Sequence, residues 1–328
     1  MTSAGRLVLF ALGGTIATPV DASGSNARMR LSADDILRDV LGDAGPPVEA
    51  RTFRTVPSAA LTFADLRELA VEMDAVVAAG ADGVVVTVGT DSLEEVAYAL
   101  DLQYAGDAPV VVTGAMRNAG LPGADGAANL RAALAVAATP SARGLGVLVV
   151  LADEVHLARH VRKLHTSSLT AFGSPGAGPV GSLSEGRVTI TAHPAHRAVA
   201  VTPAADAAPR VRLLKVALDD EPALVDEAVA AGVDGLVVEV FGAGHVAPGW
   251  VAPLRAAAQR VPVVVASRTG AGSLYRAVAS YPGSEQDLLD AGLVLADRLD
   301  GLKARVLLRT LLAAGAGREE IARRIADA

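Results

Sequence analysis

The sequence predicts an α/β fold of two doubly wound domains. The larger, N-terminal domain should have a flavodoxin-like or Rossmann-like parallel sheet, and the C-terminal domain should be smaller. Short runs of Val, Leu and Ile alternate along the chain with Ala-rich segments of helical character. These apolar runs are continuous, as is typical of strands buried on both faces of a parallel sheet. With 328 residues, the chain is long enough for two domains of about 100–200 residues.

Each predicted strand is a short run of β-branched and other apolar residues. In chain order these are Arg6–Leu12, Gly83–Val88, Pro109–Thr113, Gly144–Leu151, Val211–Leu218, Gly235–Val240 and Pro262–Ser267. The first run is too short for a signal peptide, and Gly13-Gly14-Thr15 interrupts it. No run reaches the ~20 residues of a membrane-spanning helix. We therefore expect a cytoplasmic protein without a membrane partner.

Each predicted helix is an Ala- and Leu-rich segment between two such runs. In chain order these are Ser32–Val40, Phe63–Ala79, Ser92–Tyr104, Gly126–Ala138, Glu221–Ala231 and Val251–Arg260. The third helix should begin with a capping box in which Ser92 pairs with Glu95. Residues 172–187, rich in Gly, Pro and Ser, predict a loop and a hairpin ahead of Val188–Thr191.

A weak internal repeat has one copy in each half of the chain. Residues 79–89 resemble residues 231–241, which indicates either two related units or only the general likeness of parallel strand–helix units. Residues 193–209 contain three prolines and little periodicity. We therefore predict a domain at 1–196, a linker at 197–209 and a second domain at 210–328.

The composition excludes several classes of protein. The chain has no cysteine, which excludes a disulfide framework, an iron–sulfur cluster and a thiol nucleophile. It carries 29 basic and 36 acidic side chains without a basic run, which argues against nucleic acid as a partner. An apolar fraction of 51% provides material for a core and excludes a disordered chain.

Candidate site residues follow the predicted strands, because ligands of open parallel sheets bind beyond the carboxyl ends of the strands. Gly13-Gly14-Thr15 follows the first strand and lacks the pattern of a phosphate loop, so it is either an ordinary turn or a ligand-approach loop. Gly89-Thr90-Asp91-Ser92 follows the second strand. Helix capping accounts for Ser92 but leaves Thr90 and Asp91 unexplained.

Lys163 is the third candidate, and it stands in a polar segment. Only three of the 29 basic residues are lysine, which indicates a need for an amine at this position. A desolvated lysine can act as a general base, whereas arginine cannot; a solvated surface lysine is the alternative. His156, His160 and His165 lie nearby, but without an H-E-x-x-H motif or a cysteine they do not favour a metal site.

These motifs together resemble those of the bacterial-type L-asparaginase family. The matching residues are Leu12-Gly13-Gly14-Thr15-Ile16-Ala17, Gly89-Thr90-Asp91-Ser92-Leu93-Glu94-Glu95, Val112-Thr113-Gly114-Ala115-Met116-Arg117, Asp125-Gly126-x-x-Asn129-Leu130, Arg162-Lys163, Phe172 and Lys303-Ala304-Arg305. They span nearly the whole chain in order and spacing. Each motif alone is weak, but the two threonine motifs with the lysine are specific.

The resemblance implies an enzyme that hydrolyses the side-chain amide of L-asparagine to L-aspartate and ammonia, without a metal or other cofactor. It also implies a homodimer or homotetramer with sites near subunit interfaces. In the family pattern Thr15 forms an acyl-enzyme, and Thr90, Asp91 and Lys163 form a polar triad. The residues matching the family's substrate contacts are Ser58, Thr90, Asp91, Ala115, Gly14 and Gly89.

The chain also departs from the family pattern. The family has a tyrosine in the segment after the first motif, but residues 18–31 contain none, and Ala27 or a neighbour holds that position. Pro19–Arg30 nevertheless resembles a flexible lid. Val88 replaces a histidine and Ser92 replaces a threonine.

A second group of departures lies in the C-terminal domain. His245 ends a Gly-x-Gly-His sequence where the family has Gly-x-Gly-Asn reaching a neighbouring subunit's site, and no acidic match follows Arg268-Thr269-Gly270. These changes leave two alternatives open. One is an amidohydrolase acting on glutamine or another small amide, and the other is a catalytically weak amino-acid-binding homologue. Retention of both threonines, Asp91 and Lys163 favours an enzyme.

Overall fold

The computed structural model describes residues 5–18, 32–41, 47–194 and 200–328. The chain divides into two compact units with the boundary between Ala200 and Val201. The expected lid Pro19–Arg30, which includes Ala27, lies outside the described residues. Residues 197–199 of the expected linker also lie outside them. The domain borders at 196 and 210 stay predictions. No helix in the described part of the chain has the length and apolar character of a membrane span.

The larger unit is built on an eight-stranded sheet. Its strands are β1 (Leu7–Ala11), β2 (Val48–Thr52), β3 (Gly83–Thr87), β4 (Val110–Thr113), β5 (Val147–Leu151), β6 (Glu154–Leu157), β9 (Gly181–Ser184) and β10 (Arg187–Ile190). The order across the sheet is β10-β9-β6-β5-β4-β3-β1-β2. The strands β1 to β5 are parallel, and β6, β9 and β10 join antiparallel. The prediction of a parallel α/β sheet is therefore confirmed.

In its described residues, the larger unit also has four α-helices and a small hairpin. The helices are α1 (Ala33–Leu41), α2 (Phe63–Ala78), α3 (Leu93–Asp101) and α4 (Gly126–Ala137), and the hairpin pairs β7 (Arg162–Lys163) with β8 (Phe172–Gly173). The strands β1, β3, β4 and β5 are wholly buried, as their continuous, mainly apolar sequences predict. α2 begins with a capping box between Thr62 and Asp65.

The larger unit differs from the sequence prediction in strands β2, β6, β7 and β8, which were not predicted, and in the position of the hairpin. Strand β2 was not predicted, because its sequence Val-Glu-Ala-Arg-Thr is half exposed at the sheet edge and carries two charges. The predicted hairpin is made of β9 and β10 themselves, joined by a turn in which Glu185 and Gly186 have positive φ. The segment Val188–Ile190 is therefore part of the hairpin, in β10, instead of following it.

The smaller unit contains a four-stranded parallel sheet in the order β11-β12-β13-β14. Its strands are β11 (Val211–Lys215), β12 (Gly235–Val240), β13 (Val263–Ser267) and β14 (Val294–Leu295), and its helices are α5 (Ala223–Ala230), α6 (Val251–Arg260), α7 (Glu285–Asp290), α8 (Gly301–Ala313) and α9 (Arg318–Ala326). The core includes Trp250, whose Nε1 donates to the carbonyl of Asp220. The predicted second α/β domain is thereby confirmed as a fold class.

Candidate active site

The carboxyl ends of β1, β3 and β4 meet at one edge of the large sheet. Ala11 pairs with Thr87, and Thr87 pairs with Thr113, so the three strands end at the same level. The Thr15 motif follows β1, the Thr90 motif follows β3 and the Ala115 loop follows β4. The topology therefore brings three predicted site segments to one edge, as expected for an open parallel sheet.

The turns after β1 and β3 touch through their backbones. Gly13 and Gly14 have φ of 100° and 86°, a region that L side chains rarely adopt. A Cβ atom at Gly14 would collide with the backbone nitrogen of Gly89. Glycine at position 14 thus permits both the positive φ and the close approach. Thr15 then opens a short 3-10 helix, Thr15–Ala17, and is half buried.

Thr90, Asp91 and Lys163 form a hydrogen-bonded cluster. The Lys163 Nζ donates to Thr90 Oγ1 at 3.0 Å and to Asp91 Oδ1 at 2.8 Å. Thr90 is buried, the Lys163 side chain is 16% exposed and the Asp91 side chain is 80% exposed. The β7–β8 hairpin carries Lys163 to this position, where Lys163 pairs with Phe172 in the hairpin. The cluster therefore offers a sheltered hydroxyl with an amine beside it and a carboxylate open to solvent.

Ser58 lies against the Thr90 motif, and this contact corrects one prediction. The Ser92 hydroxyl donates to the carbonyl of Ser58 at 2.9 Å, and the Ser92 N–H donates to Ser58 Oγ at 3.3 Å. Ser92 does stand at the N-cap of α3, but its side chain makes no capping hydrogen bond. The predicted capping box with Glu95 is therefore wrong, because the Ser92 hydroxyl is used to join Ser58 to this loop.

Asp125 and Asn129 fix the loop that contains Ala115. The Asp125 carboxylate accepts from the N–H groups of Met116 and Arg117, each at 2.9 Å. The Asn129 Nδ2 donates to the carbonyl of Gly114 at 3.0 Å. Asn129 is 3% exposed, so its amide is a buried clamp on this loop. The Asp-Gly-x-x-Asn motif carries no sign of this role in the sequence, and only the hydrogen bonds reveal it.

A cavity of about 420 Å³ opens beside the cluster. Its lining consists of Asp91, Glu94, Lys163, Leu164, His165 and Thr166. Its walls therefore present two carboxylates, an amine and a hydroxyl, which are groups that can bind a small zwitterionic molecule.

The side chains of His156 and His165, which lie near Lys163 in the sequence, have structural partners. The buried His156 contacts Ser174 Oγ through Nδ1 at 3.0 Å and Glu154 through Nε2 at 3.2 Å. Burial lowers the pKa of His156, against the opposing effect of Glu154. His165 Nδ1 accepts from two backbone N–H groups. Within the described ranges, no group of three His, Asp or Glu side chains is placed to hold a metal ion.

Comparison with known proteins matches both units to one family. Residues 6–196 match the family described as Asparaginase, N-terminal, and residues 210–324 match the Glutaminase/Asparaginase C-terminal domain. The chain is 34% identical over 320 residues to an L-asparaginase of Bacillus licheniformis, covering 94% of this chain and 95% of that protein. It is 36% identical over 328 residues to a probable L-asparaginase of Deinococcus radiodurans, covering 97% of this chain and 96% of that protein.

A solved structure and a second type of relative extend this comparison. The crystal structure of a probable cytoplasmic L-asparaginase from Campylobacter jejuni superposes with a TM-score of 0.87 at 29% identity, covering 98% of this chain and 99% of that chain. A subunit of the glutamyl-tRNA(Gln) amidotransferase of Methanosarcina acetivorans is 30% identical over 304 residues, covering 88% of this chain and 70% of that protein. The fold and the matches define an amidohydrolase, an enzyme that hydrolyses amide bonds. The chain belongs to the asparaginase family.

Proposed function

We propose that this protein is an L-asparaginase that hydrolyses the side-chain amide of L-asparagine to L-aspartate and ammonia through a Thr15 acyl-enzyme. The observation that carries the proposal is the hydrogen bond of 3.0 Å between Lys163 Nζ and Thr90 Oγ1. A threonine hydroxyl is a weak nucleophile that needs a base. The loop whose backbone touches the Thr15 turn carries a second hydroxyl, that of Thr90, and the Lys163 amine from the β7–β8 hairpin is hydrogen-bonded to it.

The reaction has two covalent steps. Thr15 Oγ1 attacks the amide carbon, its proton passes to the leaving nitrogen, and ammonia departs as the acyl ester forms. Water then attacks the ester, giving the carboxylic acid and restoring the Thr15 hydroxyl. In each step Thr90 relays the proton of the attacking hydroxyl or water to Lys163, which returns it to the leaving group, and backbone N–H groups of the two loops stabilise the oxyanion.

Substrate recognition is assigned to groups at the same edge of the sheet. Asp91 would bind the α-ammonium group, and its 80% exposed side chain leaves the carboxylate accessible. Ser58 would bind the α-carboxylate, and the backbone at Ala115 would lie near the amide. The backbones of Gly14 and Gly89 would allow close approach of the substrate.

Ammonia release from asparagine, glutamine and other small amides tests the proposal. Thr15→Ala should lose turnover by at least about 100-fold, the effect of removing a nucleophile that acts with a base. Thr90→Val keeps the side-chain volume and removes the hydroxyl, so it should lose turnover while remaining folded. Absence of turnover with every amide, or full turnover by Thr15→Ala, contradicts the proposal.

A second candidate function is hydrolysis of glutamine or another small amide. The similarity to a subunit of a glutamyl-tRNA(Gln) amidotransferase supports this candidate, and His245 stands where the family has asparagine. A kcat/KM at least tenfold higher for glutamine than for asparagine would favour it. Binding of asparagine without turnover would favour the catalytically weak homologue.

The assembly and the location of the protein remain proposals drawn from the family resemblance. We expect a homodimer or homotetramer with sites near subunit interfaces, where His245 would contribute to a neighbouring site. Sedimentation of the full chain measures its mass directly. The Campylobacter jejuni neighbour, named a probable cytoplasmic L-asparaginase, supports a cytoplasmic location, and nucleic acid is not an expected partner.

A further inference from the structure

Two buried polar side chains join the β7–β8 hairpin to the large sheet. His156 lies on β6 and is 1% exposed, and Ser174 directly follows β8 and is 8% exposed. The Ser174 Oγ lies 3.0 Å from His156 Nδ1, although the two residues are 18 positions apart. Strand β6 belongs to the eight-stranded sheet, whereas β8 belongs to the separate two-stranded sheet. The hydrogen bond therefore links these two sheets through side chains.

Glu154 sets the direction of this hydrogen bond. It lies two residues before His156, on the same face of β6. The His156 Nε2 lies 3.2 Å from Glu154 Oε2. A carboxylate only accepts, so Nε2 carries the proton, and Nδ1 accepts from the Ser174 hydroxyl. Burial lowers the pKa of His156, against the opposing effect of Glu154, so the ring is neutral at neutral pH and Nδ1 stays an acceptor.

Only a short stretch of chain separates Ser174 from the proposed proton acceptor. Phe172, two residues before Ser174, pairs with Lys163 across the hairpin. Each strand of the hairpin has only two residues, so few backbone hydrogen bonds hold it in place. The Lys163 Nζ extends from this hairpin to Thr90 Oγ1 at 3.0 Å. A displacement at Ser174 is therefore transmitted to the amine with little to resist it.

Apolar packing also holds the hairpin, but it does not explain this polar pair. Val161, Ala171 and Phe172 are buried, and they lie in or beside the two short strands. Apolar contacts are non-directional, whereas a hydrogen bond requires a particular distance and angle. Burial of an imidazole and a hydroxyl is unfavourable unless the two groups are paired. The pair therefore defines the position of the hairpin on the sheet more narrowly than apolar side chains alone.

We infer that His156 and Ser174 are positioning residues, which hold the β7–β8 hairpin where the Lys163 amine reaches Thr90. The inference rests on the proposed function, in which Lys163 accepts a proton through Thr90. Since a misplacement of about 1 Å can lower a rate by about 100-fold, loss of this hydrogen bond in Ser174→Ala should lower kcat by about 10- to 100-fold. The KM should change by less than about threefold, because the proposed substrate contacts are not on the hairpin.

A cycle of four proteins tests whether Ser174 acts through the amine. The kcat for asparagine is measured for the parent chain, Ser174→Ala, Lys163→Met and the double variant, at high enzyme concentration for the slow ones. Ser174→Ala should lower kcat by at least about tenfold in the parent chain but by less than about twofold when Lys163 is already methionine, because no amine remains to be positioned. Equal fold losses in the two backgrounds overturn the inference.

Two further comparisons separate positioning from a general loss of stability. Asparagine at position 156 keeps an acceptor oxygen near the place of Nδ1, so His156→Asn should retain a kcat at least about fivefold above that of His156→Leu. Thr310→Val removes another buried hydroxyl, one that donates to the carbonyl of Val306 in α8, and should keep the parent kcat. Equal kcat values for the two His156 variants, with unchanged circular dichroism, also overturn the inference.

Labelling of the lysines tests the same inference without turnover. The chain has three lysines, and the side chains of Lys163, Lys215 and Lys303 are 16%, 64% and 1% exposed. Acetylation by acetic anhydride, followed by peptide mass spectrometry, compares them within the same molecules. Ser174→Ala should raise the rate of Lys163 relative to Lys215 by at least about fivefold, because the hairpin opens more often. An unchanged ratio overturns the inference, whereas absence of amide turnover in the parent chain refutes the proposed function alone.

Discussion

Replacing Lys163 by methionine removes an amine while keeping an unbranched side chain of similar length. The change deletes hydrogen bonds of 3.0 Å to Thr90 and 2.8 Å to Asp91. General acid–base catalysis contributes about 100- to 10,000-fold. Since each tenfold is about 1.4 kcal/mol, we expect the activation free energy to rise by about 3–5 kcal/mol, with kcat falling accordingly.

The same structure limits the effect on folding. Asp91 is 80% exposed, and ion pairs with such exposed partners contribute about 0–1 kcal/mol. A change of about 1 kcal/mol shifts Tm by about 2–4 °C in a domain of 150–250 residues. Lys163→Met should therefore lose most of its activity with a Tm within about 4 °C of the parent protein. Ammonia release and a calorimetric scan measure the two quantities.

Two control variants separate the amine from the charge. Lys163→Arg keeps the positive charge but cannot accept a proton, so it should remain nearly as slow as Lys163→Met. Lys215→Met removes another lysine that pairs with a carboxylate, Glu239 at 3.1 Å, and should keep the parent kcat. A kcat for Lys163→Met within tenfold of the parent value, or full activity in Lys163→Arg, refutes the assignment of Lys163 as a proton acceptor.

Three further variants test buried contacts of the two units. Gly14→Ala should lower the free energy of unfolding by about 1–3 kcal/mol more than Gly80→Ala. Both glycines have positive φ, but only at position 14 would the new methyl group collide with the backbone of Gly89. Equal losses of unfolding free energy in urea titrations would contradict this. Asn129→Asp keeps the size of the side chain but cannot donate to the carbonyl of Gly114. The free energy of unfolding should therefore fall by about 1–3 kcal/mol, and kcat should fall with it. An unchanged kcat would show that activity does not depend on this hydrogen bond. Glu285→Gln should lower the free energy of unfolding most at neutral pH. Burial acts to raise the pKa of Glu285, but backbone N–H groups and His245 outweigh it and lower the pKa from 4.5 to about 2 in the folded protein, so the ionised carboxylate stabilises the fold above about pH 4.5. This contribution is lost as the pH falls towards about 2. A pH-independent difference in unfolding free energy would exclude that linkage.

The buried parallel strands of both sheets were predictable because their continuous apolar sequences are compatible with only one environment. Val-Val-Val runs in β3, β4 and β13 fit only a sheet covered on both faces. Strand β2 was missed because Glu49 and Arg51 give it the appearance of a surface loop. Helices α7, α8 and α9 and strand β14 were also not predicted. In α8 the N-cap is Asp300, which accepts from the Lys303 N–H at 3.0 Å, a signal the sequence did contain.

The side-chain clusters were less predictable because they depend on contacts distant in sequence. The sequence marked Thr90, Asp91 and Lys163 as residue types, but the 3.0 Å contact depends on the β7–β8 hairpin, whose strands have two residues each. Ser92 fitted a capping pattern, and its donation to Ser58 has no local sequence signal. The contacts of His245 with Tyr281 and Glu285 were missed because an irregular segment brings the tyrosine to His245.

The β7–β8 hairpin should determine how the enzyme loses activity on heating. Lys163 belongs to a two-stranded sheet of its own, separate from the eight-stranded sheet that carries the threonine motifs. A pair of two-residue strands opens more easily than a buried parallel sheet. Thermal inactivation should therefore precede melting, as a reversible loss of the amine from an otherwise intact protein. Amide exchange at Leu164, whose N–H donates to Ala171, would record that opening at temperatures where Val85 in β3 is still protected.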